Sequence, residues 1–391
     1  MPGLLSRIFG GSHTRPCIAI DIGSNTAIRS LALMDAGGER TLLSKRTLEL
    51  PVRERETDLI PLISEHLRRI LFRAVKELGQ MPDAVLLGLG NHFTFNEIAS
   101  VRRERERPTE RIRPEELASL LDGFLNEHRT RTIGDDTYRL AHLMPFGLTV
   151  NGYGIERLGQ ETRGRTIEAT LLATYALAPY LDALERLKSI LGGLSLSFIA
   201  NQAAIARVLT ARLNIKDALI VKIGANITEV SILTDGALAA TGQFPLGGNA
   251  FTESISRRLG ISKRDAERTK RGLSHTLLPG RAAAAVREAL GEAISQWRGE
   301  LVKHLAAEER FLVPERMYLL GGGAKLDLVL EILTASRWYG ELTFLEKIEI
   351  QRLEAETIAA PMFRNAAPSL SGPEEVGLAA LASRLVELHE P

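Results

Sequence analysis

Cysteine is almost absent, with Cys17 the single one in 391 residues. No disulfide can form within one chain, so a stapled scaffold is excluded and a reducing compartment fits. Excess charge of either sign is also absent: 49 Lys+Arg stand against 48 Asp+Glu, a formal net charge of +1. No global field therefore draws the chain to nucleic acid, and no nucleic-acid partner is expected. The eight histidines are scattered, and no Cys/His spacing suggests a metal centre. No apolar run reaches the roughly 20 residues that a spanning helix needs. The stretch from Leu4 to Phe9, with Arg7 inside it, is too short for a secretory signal. These absences read together as a cytoplasmic protein.

What is present is ordinary in bulk and specific in order. Hydrophobic residues make up 45% and charged residues 25%, as in a soluble globular protein. The length suits two lobes of roughly 150–200 residues each. An apolar strand, Cys17–Ile20, runs into Asp21-Ile-Gly-Ser-Asn-Thr26. A second strand follows near Ile28–Met34, then a turn at Asp35–Gly38 and a third strand near Arg40–Leu48, which is a hairpin signal. The same grammar returns about 200 residues later. Ala218–Val221 is the strand, Lys222-Ile-Gly-Ala-Asn-Ile-Thr228 the glycine-containing turn, Glu229–Leu233 the next strand, Asp235-Gly236 the turn and Ala237–Phe244 the third strand. Such a spacing marks a duplicated domain and not a solenoid.

Helical periodicity fills the intervals. Thr57–Leu78 carries Leu59, Ile63, Leu67, Ile70 and Leu71 on one stripe. Tyr175–Leu191 reads as a helix stopped by Gly192-Gly193. Arg281–Glu309 repeats Val286, Leu290, Ile294, Trp297, Leu301 and Leu305 along one face, so Trp297 on this stripe, and Phe311 on a strand flank, read as core residues rather than site residues. A last helix near Pro373–Leu388 starts at Ser371-Gly-Pro373. Residues 84–164 interrupt the duplicated pattern. They hold a strand at Ala84–Leu89, a helix from Ile112 through Leu125, and strands at Tyr138–Leu143 and Phe146–Val150. This stretch reads as a small α+β insert.

Four loops have the composition of ligand-binding turns. In Asp21–Thr26 the glycine Gly23 lets backbone approach a phosphate, Ser24, Asn25 and Thr26 add polar groups, and Asp21 can hold Mg2+ through water. The plain alternative is an ordinary hairpin. Lys222–Thr228 mirrors it with Gly224 and Asn226; either Lys222 meets phosphate as a point charge, or the loop is a relic of the duplication that binds nothing. Met317-Tyr-Leu-Leu-Gly-Gly-Gly-Ala324 is a strand running into Gly321, Gly322 and Gly323, which suits backbone passing flat against a ligand, with a helix beginning at Lys325. Gly247 and Gly248 open Gly-Gly-Asn-Ala-Phe-Thr252, followed by Ala-Glu267-Arg-Thr-Lys270. Glu267 and Lys270 share a helix face, and their plain alternative is a surface ion pair.

In this order the motifs resemble the actin-like ATPase superfamily, and within it the FtsA family of cell-division proteins, with PilM-type pilus assembly proteins as close relatives. Asp21–Thr26 is similar to the first phosphate motif, Lys222–Thr228 to the second and Tyr318–Ala324 to the adenosine motif. Phe198–Ile205 and Gly372–Ala380 resemble the two connecting helices. The resemblance implies an α/β actin-like ATPase fold of duplicated ribonuclease-H-like lobes. Its divisions would be a leader over 1–16, a first lobe over 17–83 and 165–204, and an FtsA-type α+β insert over 84–164. A second lobe would fill 205–391, with 246–310 as its helical subdomain and a final helix, 373–388, packed back on the first lobe. It implies ATP or ADP with Mg2+ as ligand, held by Asp21, Gly23, Ser24, Asn25, Thr26, Lys222, Gly224, Asn226, Gly247, Gly248, Glu267, Lys270, Gly321, Gly322 and Gly323, with Asp21 at the metal. Lys222 departs from the acid usual at that position, which implies at most a slow ATPase. Implied partners are division or pilus proteins, self-polymerisation and a peripheral contact with the inner face of the cell membrane. The opening hexapeptide also looks like exopolyphosphatase-type phosphohydrolases, whose second loop is acidic and so does not match Lys222.

Two smaller features have two readings each. Leu4, Leu5, Ile8 and Phe9 fall on one helical face, so residues 2–10 are either a short membrane-surface anchor or a plain leader. Arg102–Arg113 holds six arginines and three glutamates. It is either a solvated edge or a contact surface for an acidic segment of a partner.

Overall fold

The computed structural model describes residues 14–23, 27–36, 39–50, 59–90, 93–155, 161–190, 195–272, 280–308, 312–335, 338–342, 348–363 and 370–387. The readings made above for residues 2–10, for Ser24, Asn25 and Thr26, and for Phe311 lie outside these residues. In chain order come β1 (Thr14–Ile22), β2 (Ala27–Ala36), β3 (Glu39–Glu49), α1 (Leu59–Leu78) and β4 (Ala84–Leu89). Next are β5 (Thr94–Glu104), α2 (Pro114–Glu127), β6 (Thr130–Ile133), β7 (Asp136–Val150), the two-residue β8 (Tyr153–Gly154) and β9 (Thr166–Leu177). Then follow α3 (Ala178–Ile190), β10 (Leu196–Ala200) and α4 (Asn201–Ala211). The second half gives β11 (Ala218–Ile223), β12 (Thr228–Thr234), β13 (Ala237–Phe244), α5 (Gly248–Leu259), α6 (Lys263–Gly272) and α7 (Gly280–Ala306). It ends with β14 (Arg316–Leu320), α8 (Asp327–Ala335), β15 (Glu349–Arg352), α9 (Ala355–Ala359) and α10 (Val376–Glu387).

The duplicated grammar becomes duplicated topology. One sheet runs β10-β4-β1-β2-β3 and another β15-β14-β11-β12-β13. In each, an antiparallel hairpin follows the first strand, and two parallel strands extend the other side. The second hairpin closes through Asp235 (φ 51) and Gly236 (φ 79), two consecutive left-handed residues of the kind a tight hairpin requires. The α1 stripe is buried as its periodicity predicts. So is the α7 stripe, Trp297 included.

Helices α4 and α10 fill the space between the two sheets. Their facing positions are small: Ala203, Ala204 and Ala206 on one, Ala379, Ala380 and Ala382 on the other, all fully buried. Small side chains let two helices approach closely while their larger neighbours, Leu209 and Leu381, reach the sheets. The resulting core joins Ala19 and Leu86 of one sheet to Ile220 and Leu320 of the other.

A third sheet, β5-β9-β7-β6 with β8 on β7, carries α2 on one face through Leu120 and Phe124. Its limits differ from the expected 84–164. Ala84–Leu89 pairs with β1 and β10 and lies in the first sheet. All six of its residues are buried, as in a parallel strand covered on both faces. The return strand β9 is central in the third sheet and runs on to Leu177. For the same reason the helix expected from Tyr175 begins at Ala178. Tyr175 and Ala176 pair with β5, and pairing overrides a helical pattern that continues into a strand. The two strands expected at 138–143 and 146–150 are one, β7, whose register slips at Pro145. A proline cannot donate to the ladder and is accommodated at a bulge. The helix expected from Lys325 is instead a 3-10 turn, Gly322–Lys325, followed by α8.

Arg105 anchors the irregular crossing from β5 to α2. Its side chain is 4% exposed and pairs with Glu116 through Nε–Oε2 at 2.8 Å and Nη2–Oε1 at 3.1 Å. It also donates to the carbonyls of Glu110, Arg111 and Gly164. Glu116 is held below the usual carboxylate range, chiefly by its hydrogen bonds from Arg105. Arg105→Ala is expected to cost roughly 3 kcal/mol, because it strands a carboxylate and buried carbonyls together. Limited proteolysis should then cut first between residues 105 and 113, while the wild-type chain resists there.

Candidate functional site

The two hairpins end at the same place, one from each lobe. Asp21 is buried at the end of β1, 2% exposed, and accepts from Asn201 Nδ2 at 2.7 Å. Asn201 opens α4, and it fits only because residue 88 is glycine: a Cβ there would collide with its Oδ1. Gly377 of α10 packs tightly against Asp21, and a Cβ there would lie 3.1 Å from Oδ2. Gly23 closes the hairpin by donating its N–H to the Ala27 carbonyl at 3.1 Å.

From the other lobe, Lys222 Nζ pairs with Glu229 Oε1 at 2.9 Å, with side chains 13% and 2% exposed. The two residues stand directly opposite each other on β11 and β12. The equivalent register position in the first hairpin holds Asp21 opposite Arg29. The duplication has thus kept an acid and a base at matched positions and exchanged their strands. Burial works against the Lys222 cation, but the Glu229 and Asp21 carboxylates outweigh it and hold its pKa above the ordinary lysine value. Lys222 is the charge through which the acids of the two lobes meet. Two atoms of this cluster, Glu229 Oε2 and Asn201 Oδ1, are buried without a hydrogen-bond partner among the described residues. Buried polar atoms of that kind mark room for water or ligand.

The glycine turns pack around the second hairpin. Gly224 accepts from Gly248 N at 2.9 Å and Ala225 from Asn249 N at 2.7 Å, so this loop caps the start of α5. Asn226 Oδ1 accepts from Asn249 Nδ2 at 2.6 Å. A Cβ on Gly247 would lie 2.5 Å from the Gly224 carbonyl. Gly321, at φ 88, sits as close to the Ile223 carbonyl, 2.5 Å from where its Cβ would be. Gly323 packs on the Ile223 side chain. Gly322 differs, since a Cβ there would meet nothing within 4 Å.

Glu267 and Lys270 adjoin this group from α6. The Lys270 ammonium is buried and spends its protons internally, 2.7 Å each from Gly248 O, Thr252 Oγ1 and Glu267 Oε2. The pair thereby clamps α6 to the first turn of α5. Arg271 continues the network from Glu267 to Glu49 of the first lobe, at 2.7 and 3.1 Å. Of the residues singled out from sequence, the structure gathers Asp21, Gly23, Lys222, Gly224, Asn226, Gly247, Gly248, Gly321, Gly322, Gly323, Glu267 and Lys270 around one junction. Sequence reasoning did not count Asn201, Glu229, Gly88 and Gly377 among the site residues, although Asn201 and Gly377 fell within the two expected connecting helices. Glu229 was readable as the cross-strand partner of Lys222, whereas the other three depend on how α4 and α10 pack against β1 and β4.

Fold and junction together define the class: this is the actin-like ATPase fold. The TM-score is 0.65 to the PilM-PilN type IV pilus biogenesis complex, at 19% identity over 96% of this chain and 99% of that chain. The ethanolamine utilization protein EutJ from Carboxydothermus hydrogenoformans is similar at TM-score 0.49 and 15% identity, over 93% and 88%. MreB 5 of Spiroplasma citri bound to AMPPNP gives 0.48 and 12%, over 96% and 97%. In sequence, residues 219–362 match the family model of the cell division protein FtsA. The resemblance to FtsA with PilM-type relatives therefore holds, to FtsA in sequence over residues 219–362 and to PilM in fold. No curated protein matches the sequence. No described helix is long and apolar enough to cross a membrane.

Proposed function

We propose that the chain is a nucleotide-binding adaptor of the FtsA type, linking an envelope-bound assembly to cytosolic partners, with very slow or no hydrolysis. The observation that carries this is the buried Asp21–Lys222–Glu229 cluster, which joins two lobes at the junction of the glycine turns. A nucleotide would lie with its base and sugar beside Gly322, where there is open space, and its phosphates toward the two hairpin loops. Lys222 would meet phosphate as a point charge. Glu267 and Lys270 would shape the wall by holding α5 and α6 together.

The donor set does not fit a protein-held Mg2+. Magnesium wants near-octahedral oxygen ligands, but Glu229 already pairs with Lys222, and an ammonium group stands in the field of Asp21. No group of three His, Cys, Asp or Glu suited to a metal occurs among the described residues. Metal-assisted activation of a water is accordingly not assigned to this chain.

The test is thermal stability with ATP or ADP at millimolar concentration, with Mg2+ or with EDTA. A rise of about 3–6 °C is expected, and it should be similar in both conditions. No rise in either would defeat nucleotide binding, and a rise seen only with Mg2+ would defeat the role given to Lys222. Phosphate release followed over hours should stay near background.

A PilM-type pilus scaffold is the second reading, supported by the fold similarity to the PilM-PilN complex. Binding of a tubulin-like division protein by the purified chain supports the first reading. Binding of the cytoplasmic tail peptide of a pilus membrane protein supports the second.

A further inference from the structure

The third sheet carries a charged pocket that the nucleotide junction leaves unexplained. A cavity of about 530 Å³ is lined by Arg107, Thr109, Glu110, Arg111, Arg113 and Arg163. All four arginines are exposed. Arg107 pairs with Glu110 at 3.2 Å and Arg163 with Glu161 at 2.6 Å. Neither Arg111 nor Arg113 has a salt-bridge partner among the described residues. The walls are nevertheless fixed. Arg111 and Arg163 face each other across an isolated antiparallel bridge. Ile112 N donates to Thr162 O at 2.8 Å. From beneath, buried Arg105 holds the carbonyls of Glu110, Arg111 and Gly164.

Glu110 and Glu161 offset two of the four guanidinium groups, and the charges of Arg111 and Arg113 remain for an incoming anion to offset. Because Arg105 has already ordered the loop, a ligand loses little further entropy in using it. Guanidinium forks suit carboxylates in pairs. Apart from the one acid, Glu110, and Thr109, the lining is arginine, and all six residues are exposed, so an extended chain can enter and leave the cavity without the site opening. We propose that this pocket is a docking site for an acidic segment, rich in Asp and Glu, of a protein partner. Arg111 and Arg113 are its main anchors. The inference is independent of the nucleotide junction.

The test uses the full chain and a fluorescent short peptide of Asp and Glu, with a Gln/Asn peptide of equal length as control. The acidic peptide should bind at about 0.05 M salt and weaken steeply by about 0.3 M, as screening predicts. R111E/R113E should weaken it by roughly tenfold or more, with the circular dichroism spectrum unchanged. Should that variant not fold, R111Q/R113Q carries the same comparison at a smaller loss. No binding at low salt, or equal binding by these variants, would overturn the proposal. So would anionic phosphatidylserine vesicles that bind the wild type but not the variant while the peptide fails to bind, because the pocket would then serve lipid headgroups.

Discussion

Lys222→Ala is expected to destabilise the protein by about 3–5 kcal/mol, the usual cost of removing one partner from a buried ion pair. The loss comes from the acids left behind. Glu229 is 2% exposed and has one oxygen already without a partner. Asp21, equally buried, loses the nearby cation as well. Replacing both members of the pair, as in Lys222→Met with Glu229→Met, should recover most of that loss, since well-packed apolar groups often match a buried pair in stability. Denaturant midpoints for the single and double variants measure the difference. A single variant as stable as the wild type would show that Lys222 does not tie its hairpin to Asp21 of the other lobe. Lys222→Asp is the sharper functional probe. It gathers three carboxylates at one junction, so the apo protein should fall in stability while Mg2+ raises it, a response the wild type should lack.

Gly321→Ala is expected to cost about 2–4 kcal/mol, whereas Gly322→Ala should change stability by less than about 1 kcal/mol. The two glycines are adjacent and differ only in their surroundings. At Gly321 a side chain faces both a left-handed φ of 88 and a backbone carbonyl at 2.5 Å, neither of which can move without shifting β11. At Gly322 there is nothing to meet. If the open space beside Gly322 is where the nucleotide lies, Gly322→Ala should keep the melting temperature but reduce its rise with ATP. An equal loss of stability in both variants would mean that the turn is simply intolerant. An undiminished rise in Gly322→Ala would place the nucleotide elsewhere.

The charge run at Arg102–Arg113 shows how a sequence reading divides once the chain folds. Periodicity gives no reason to separate Arg105 from its neighbours, yet Arg105 is interior and Arg107 is three-quarters exposed at its side chain. The difference lies in Glu116 and Gly164, which reach Arg105 only when α2 and β9 are in place. Arg105 is an internal brace that neither reading foresaw, while Arg102, Arg107, Arg111 and Arg113 are exposed as a solvated edge would be.

The sequence alone determined the duplicated hairpins, the apolar stripes of α1 and α7, the turn at Asp235-Gly236 and the order of the glycine motifs. Each of these rests on local chemistry: residue periodicity, the conformational freedom of glycine, and the side-chain preferences of tight turns. The tertiary structure decided the limits of the third sheet, because Ala84–Leu89 and Tyr175–Leu177 take their roles from the strands beside them. It also decided what Lys222 does. In the sequence a lysine replaces an expected acid, and only the pairing of β11 with β12, facing Asp21 from the other lobe, makes it the shared cation of two buried carboxylates. Asn201 and Gly377 belong to the junction for the same reason. They are brought to Asp21 by helices that start about 180 and 355 residues further along the chain; the sequence marks these as connecting helices, but contacts across such distances leave no local pattern that aims either residue at Asp21.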